Sequence, residues 1–413
     1  MATLGLVLLA AAVVGVAVVA FMLGLTVWHV RRPGLVPETW PGISVLKPLC
    51  GADDDLAANL ASFAELPYGG EYEVVLGVRS PEDPAWPVAE EAVRRWPHRM
   101  RLVRQDREVG LNPKVNQLVG MARAARHDLL VVSDSNIRVP DGYLSDIAAH
   151  LARPGVRCVT HPIGGAGQRS LGALLDNVHL AATVATGMVA SDRVARRPLV
   201  VGKSMALWRQ DLELLGGFES VANVLAEDHV LGNRIRRELR AGVAVSNLPV
   251  WNIAVEKSVG HFFRRYLRWS VIHRTAISFP AYLGESLLNP IPLAVIGYAL
   301  RPTPGAAATL AVCAVLKPTL DAVAFSRLRR EMFSWRAFGA VWVKDVLLFV
   351  TWFHGLFART VEWRGNRLRV HAGSRLVPIA DPSPSGDPLV TGFSEKLPSL
   401  HGPAAAVLSD LGA

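Results

Sequence analysis

Four islands of polar residues carry types and spacings that could do chemistry. Arg79-Ser80-Pro81-Glu82-Asp83-Pro84 ends a strand-like apolar run, where Asp83 could accept hydrogen bonds from a base or ribose or could simply form a turn before proline. Val131-Val132-Ser133-Asp134-Ser135-Asn136 closes another apolar run with a carboxylate, the oxygen ligand that a hard divalent cation takes together with substrate phosphates. A turn-forming aspartate is the plain alternative. Ala226-Glu227-Asp228-His229 places adjacent carboxylates after the Gly216-Gly217-Phe218 turn. Asp228 could deprotonate an attacking hydroxyl, although an acidic pair also suits the first turn of any helix. In Arg264-Arg265-Tyr266-Leu267-Arg268-Trp269, helical spacing puts Arg265 and Arg268 on one face. Guanidinium groups fit a diphosphate, and a basic interfacial helix on anionic lipid fits the same residues.

These islands need a scaffold. From Ile43 to about Leu248, short apolar runs alternate with helical patterns, which predicts an α/β domain with a mostly parallel sheet and flanking helices. Strands are expected at Ile43–Leu46, Tyr72–Val78, Met100–Val103, Asp128–Ser133 and Val156–Thr160, with helices at Asp54–Ala64 and Trp86–Trp96. Asp134 then falls beyond the carboxyl end of a strand, where open α/β sheets bind ligands.

Composition places this domain beside a bilayer. The chain has 413 residues, 51% of them hydrophobic, and a net charge of +9. Leu4–Trp28 carries no charged residue and is long enough to span the hydrocarbon layer; a signal peptide would have a shorter apolar core behind positive charge. Arg31 and Arg32 follow it, so the domain beyond is expected to face the cytoplasm. Further apolar stretches lie near Leu287–Leu300, Gly305–Phe325 and Phe338–Phe357. Three crossings there would put the arginines at 359–369 outside, so one of the three is expected to be re-entrant or interfacial. Lys344 and Asp345 interrupt the last stretch. The basic excess beside these segments points to anionic headgroups rather than nucleic acid. Three scattered cysteines match no zinc spacing or disulfide framework. The expected organisation is a membrane helix over 1–30, the α/β domain over 40–255, interfacial helices over 256–285, membrane segments over 286–371 and a disordered tail over 372–413.

In that order, Asp83, Asp134, Asp228 and Arg265-Tyr266-Leu267-Arg268-Trp269 resemble the inverting family-2 glycosyltransferases of GT-A fold, with three aspartate motifs followed by (Q/R)xxRW. Val45-Leu46-Lys47-Pro48-Leu49, Leu111-Asn112-Pro113-Lys114-Val115-Asn116, Asp134-Ser135-Asn136-Ile137-Arg138-Val139 and Gly202-Lys203-Ser204 look like the matching stretches of ceramide glucosyltransferases. The likeness covers roughly 40–300. It implies a membrane enzyme, in bacteria one of the inner membrane, that inverts the anomeric centre while moving glucose from UDP-glucose to ceramide with Mg²⁺ or Mn²⁺. Asp228 would be the base, and Asp134 would bind the metal and diphosphate. Asp83 would bind nucleotide; Lys47, Lys114, Asn116, Arg265, Arg268 and Trp269 would be donor contacts. Bacterial hopanoid-associated N-acetylglucosaminyltransferases look similar over the same stretch, implying UDP-N-acetylglucosamine and a hopanoid polyol instead. Two departures stand out: Asp134-Ser135-Asn136 holds one carboxylate where the family shows Asp-x-Asp, and Arg265 stands where many relatives carry Gln. A non-catalytic membrane protein or a transporter is the alternative from another class; a transporter would place ionisable residues within its spans, where Lys344 and Asp345 form the candidate pair.

Overall fold

A computed structural model describes residues 1–363 and 366–379. Strands β1 (Ile43–Pro48), β2 (Tyr72–Val78) and β4 (Leu129–Val132) are buried and largely apolar, β3 (Met100–Arg104) is a half-buried edge strand with two arginines, and all their mutual pairings are parallel. Each lies within two residues of its expected bounds. Helices Leu56–Ala64, Trp86–Arg95 and Pro113–Ala124 make the crossovers.

The remaining strands are β5 (Ile137–Arg138), β6 (Val156–Thr160), β7 (Ile163–Ala166), β8 (Met205–Trp208), β9 (Gly242–Val245) and β10 (Val250–Ile253). Only β6 among them was expected. The main sheet has the order β3-β2-β1-β4-β8-β6-β9, with β8 antiparallel to both neighbours. Beside it, β5-β10-β7 form a small second sheet. Apolar side chains pack on both faces of the main sheet, as a mostly parallel sheet between helices requires.

The N-terminal helix Ala2–Val30 packs along the helices Pro290–Leu300 and Pro304–Arg329. Gly5 and Gly297 let two backbones meet: a Cβ on Gly5 would lie 3.0 Å from the Gly297 carbonyl oxygen. Small residues at such crossings are what packing in lipid favours. Ala2–Val30, Leu171–Arg193, Pro304–Arg329 and Trp335–Phe357 are long and apolar enough to cross a membrane. Leu171–Arg193 is 78% buried within the protein, so its apolarity serves packing against its neighbours. Phe279–Leu288 and Pro290–Leu300 meet at an 84° bend, the shape of a broken or re-entrant span.

Two expectations for the C-terminal half change. Lys344 and Asp345 are joined by Lys317 and Asp321 of the preceding helix; Lys344 Nζ lies 2.7 Å from Asp345 and 2.9 Å from Asp321. All four side chains are buried among each other. Alternating charges therefore neutralise one another between two helices.

Residues 360–378, expected as the end of a membrane segment and the start of a tail, contain an antiparallel sheet of β11 (Thr360–Trp363), β12 (Asn366–His371) and β13 (Arg375–Pro378). Its inward side chains Val361, Leu368, Val370 and Leu376 are buried, a period-two alternation interleaved with arginines that a scan for long apolar runs passes over. Ser374 and Leu376 pair with Leu225 and Asn223 by backbone hydrogen bonds of 2.8 Å each, which braces the loop before Glu227. The rest of the expected tail, from residue 380, lies outside the described residues.

Candidate active site

β4 ends at Val132, and Asp134 follows at the mouth of the sheet. Beneath it, fully buried Lys47 of β1 donates to the Asp134 carbonyl oxygen at 2.8 Å and lies 3.8 Å from the Phe63 ring centroid. Burial pulls its pKa down to about 7 despite Asp134 and Asp53. Lys47 thus supports the strand end from below.

Asn112-Pro113-Lys114 starts the helix Pro113–Ala124. The Asn112 side chain accepts from Lys114 N–H at 3.0 Å and Val115 N–H at 3.2 Å, an N-cap followed by proline in the first turn. Its amide nitrogen donates to Glu227 at 3.1 Å. This geometry aims Lys114 into the site, where Nζ lies 2.9 Å from Asp134 and 3.0 Å from Glu227. Lys203 approaches the other Asp134 oxygen at 3.6 Å. Burial would raise the Asp134 pKa, but Lys114, Lys203 and Lys47 outweigh it and hold the carboxyl at about 2. Lys203 itself is pulled down to about 8 by burial, against the pull of Asp134.

Glu227 and Asp228 open the helix Glu227–Arg237, whose first-turn N–H groups favour negative charge. Asp228 accepts from its neighbour His229 N–H at 2.7 Å and from Gly202 N–H. At Gly202 a Cβ would press on the Lys114 ammonium and sit 3.0 Å from Asp228, so any side chain there would displace these site groups. Burial pushes the carboxyls of Glu227 and Asp228 up, and Lys114 pulls both back. A carboxylate with a raised pKa next to a fixed cation is suited to accept a proton.

The fourth island lies on the helix Val259–Ala276, capped by Ser258. Arg265 pairs with Asp176 at 2.6 Å, and Tyr266 donates to the other Asp176 oxygen at 2.6 Å. The Arg265 guanidinium also stands 5.3 Å from the Trp269 ring centroid.

One cleft of about 1030 Å³ is lined by Lys114, Asp134, Asp228, Arg265, Arg268 and Trp269. Asp83, Lys47 and Asn116 are outside its wall. Asp83 accepts from Gly51 N–H and Ala85 N–H, each at 2.8 Å, and so ties together the loops after β1 and β2. Asn116 faces back, with its amide engaged by Val109 and Gly110. Positions two apart at a helix start point to different sides, so Lys114 and Asn116 cannot share a face. Three residues not chosen from the sequence join the site: Lys203, Glu227 and Asp176. Gly202-Lys203-Ser204 and the acidic doublet offered a signal for the first two; for Asp176 the signal was a lone acid in an apolar helix.

Among the described residues, no three His, Cys, Asp or Glu side chains gather as a metal cage. The site nevertheless suits a cation carried by phosphates. Asp134 is held ionised and its side chain is 31% exposed, and Mg²⁺ is usually bound through one or two carboxylates plus substrate phosphates.

The other end of the cleft reaches the apolar helices, through Ile272, Tyr282, Leu288, Leu348 and Trp352. Tyr282 O–H donates to the Trp352 carbonyl at 2.8 Å, and Trp352 Nε1–H donates to the Tyr282 carbonyl at 2.9 Å. This locks Phe279–Gly284 to Trp335–Phe357.

Fold and cleft thus define an α/β unit with a polar site beyond its strand ends, joined to helices of membrane length. The family model described as Glycosyl transferase family 21 matches residues 7–376, and the chain belongs to that family. Ceramide glucosyltransferase 1 of Caenorhabditis elegans is 29% identical over 242 residues, 56% of this chain and 49% of that protein. Ceramide glucosyltransferase 3 of the same organism is 24% identical over 349 residues, 82% of this chain and 74% of that protein. The chain therefore spans about half of the first relative and three quarters of the second. Among solved structures, a mannosyltransferase from Pyrobaculum calidifontis in complex with GDP-Man and Mn²⁺ is 20% identical with a TM-score of 0.47, covering 82% of this chain and 99% of that one.

Proposed function

We propose that the protein transfers glucose from UDP-glucose to the hydroxyl of ceramide, with inversion, at the cytoplasmic face of a membrane, in bacteria the inner membrane. The observation that carries this reading is a single cleft with Lys114, Asp134, Asp228 and Arg265 at one end and membrane-length helices at the other. A charged donor enters such a cleft from water, and a lipid's chains can stay in the bilayer while its hydroxyl reaches the acids. The relatives' printed names, ceramide glucosyltransferases, support the same choice of sugar and lipid.

Lys114, Lys203, Arg265 and Arg268 surround the place for the diphosphate, and preorganised cations there stabilise the charge that develops on departure. Asp228 takes the proton of the acceptor hydroxyl as its oxygen bonds to the anomeric carbon. The bond from that carbon to the diphosphate oxygen breaks, and UDP leaves with the electron pair. One displacement leaves the opposite anomeric configuration. Mg²⁺ or Mn²⁺ would be held by Asp134 with the donor phosphates, adding positive charge at the leaving group.

The test is purified protein in ceramide-containing nanodiscs with UDP-glucose, product read by mass spectrometry. Glucosylceramide is expected from the parent, and a loss of about 10²- to 10⁴-fold from Asp228→Asn with UDP binding retained. An Asp228→Asn protein that folds and transfers at the parental rate sinks the base assignment. Product from UDP-N-acetylglucosamine and a hopanoid polyol, with none from UDP-glucose and ceramide, would replace the substrate pair.

A further inference from the structure

The membrane-side end of the cleft mixes apolar side chains with polar ones, among them a compact group on and after the helix Val259–Ala276. His273 Nδ1 and Glu285 Oε1 are 3.1 Å apart, and their side chains are 45% and 29% exposed, facing the cleft they line. Asn289, one helical turn beyond Glu285 and 7% exposed, lines the same wall. Its side chain makes no hydrogen bond among the described residues, and it does not cap the helix Pro290–Leu300 that it precedes. Tyr282 and Trp352 bond each other's carbonyls, and the Ser270 and Thr351 hydroxyls donate to the Leu267 and Leu348 carbonyls. The Asn289 amide is not sealed inside the protein but opens on the cleft, where a ligand can take up its donors and acceptor.

We propose that His273, Glu285 and Asn289 form the subsite that holds the polar headgroup of the acceptor, beside the hydroxyl that is glycosylated. This rests on the reading of the cleft's membrane-side end as the lipid entrance.

The donor and acceptor pattern states the ligand class. Glu285 engages the His273 ring through Nδ1, so Nε2 is the ring nitrogen left to meet a ligand. The second Glu285 oxygen can accept from a hydroxyl. An Asn side chain offers one acceptor and two donors, the complement of a secondary amide, whose N–H donates and whose carbonyl accepts. Together they match a lipid with a hydroxyl and an N-acyl group on neighbouring carbons. A diacylglycerol offers the hydroxyl but no N–H, and would leave the Asn289 carbonyl oxygen unpaired. His273 lines the same cleft as Asp228 and His229, so a headgroup held here shares the cleft with the base.

The experiment uses full-length protein in nanodiscs with UDP-glucose and either ceramide or diacylglycerol. Asn289→Ala is expected to raise the ceramide KM about tenfold, the worth of roughly one buried hydrogen bond. Its KM for UDP-glucose should stay within about twofold, and its preference for ceramide over diacylglycerol should shrink by the same tenfold. His273→Ala should raise the ceramide KM as well, with part of the affinity restored in His273→Gln, whose amide can stand in for Nε2. A purely structural role would lower thermal stability and move both KM values together. Parental protein that glycosylates ceramide, with variants whose ceramide KM and lipid preference are unchanged, overturns the subsite alone. Parental protein that transfers sugar to neither lipid overturns the proposed function, and the subsite with it.

Discussion

The Lys114 ammonium stands 2.9 Å from the Asp134 carboxylate, an ion pair between a helix start and the end of β4. The same ammonium lies 3.0 Å from Glu227 and pulls down the pKa of Asp228. One lysine therefore couples Asp134, Glu227 and Asp228.

Lys114→Met should lower transfer by about 10²- to 10³-fold, the usual cost of removing one charge-stabilising donor. It should also change the pH profile. Asp228 must be ionised to act, and burial raises its pKa, so activity is lost as pH falls through that raised value. Without Lys114 the pKa rises further, and the acid limb of kcat/KM should move to higher pH. A limb that stays in place or moves down would show that Lys114 does not act on the base.

Asp134 is the one proposed protein ligand for a divalent ion. Stripping the parental protein with EDTA should weaken UDP-glucose binding, and Mg²⁺ should restore it. Asp134→Asn should bind weakly with or without Mg²⁺, because its ligand is gone. Calorimetric titration at two Mg²⁺ concentrations reads this directly; an undiminished Mg²⁺ response in Asp134→Asn rules the assignment out.

Asp176 positions Arg265 through its 2.6 Å contact and holds the Tyr266 hydroxyl at the same time. Asp176→Asn keeps the shape but removes the charge that orients the guanidinium. The KM for UDP-glucose should rise about tenfold or more, in line with roughly 1.5–3 kcal/mol for a hydrogen bond to a charged group. Asp176→Glu should recover part of it. Equal KM values in parent and Asp176→Asn would assign Asp176 to the packing of the helix alone.

Lys344 is fully buried between Asp321 and Asp345. Lys344→Met leaves two carboxylates facing one remaining lysine and should cost on the order of 3–5 kcal/mol of stability. Lys344→Met combined with Asp345→Leu restores charge balance and should regain part of it. Thermal unfolding in detergent measures both, and a single variant as stable as the parent would show that the cluster relaxes without its fourth charge.

Strands β1, β2 and β4 were legible because buried parallel strands are mostly apolar runs, and β3 and β6 because short stretches of β-favouring residues stand between helical patterns. The (R)xxRW segment and the aspartate islands were legible because polar side chains interrupting such runs at strand ends are conspicuous. β8 was not: Met205-Ala206-Leu207-Trp208 is four residues long and follows a polar turn, and its antiparallel insertion depends on partners far away. The sheet over 360–378 was hidden by its own arginines.

By itself the sequence determined the alternation of strand and helix, the long apolar segments at both ends, and the types of residue able to handle a diphosphate and a proton, because these follow from local pattern and side-chain chemistry. Only the tertiary structure decided which of them meet. Lys114 enters the cleft while Asn116 turns away, Asp176 crosses 89 residues to hold Arg265, and Lys317 and Asp321 complete the charges of Lys344 and Asp345. Those outcomes depend on helix phase and on which elements pack side by side, and neither is written in the order of residues along a chain.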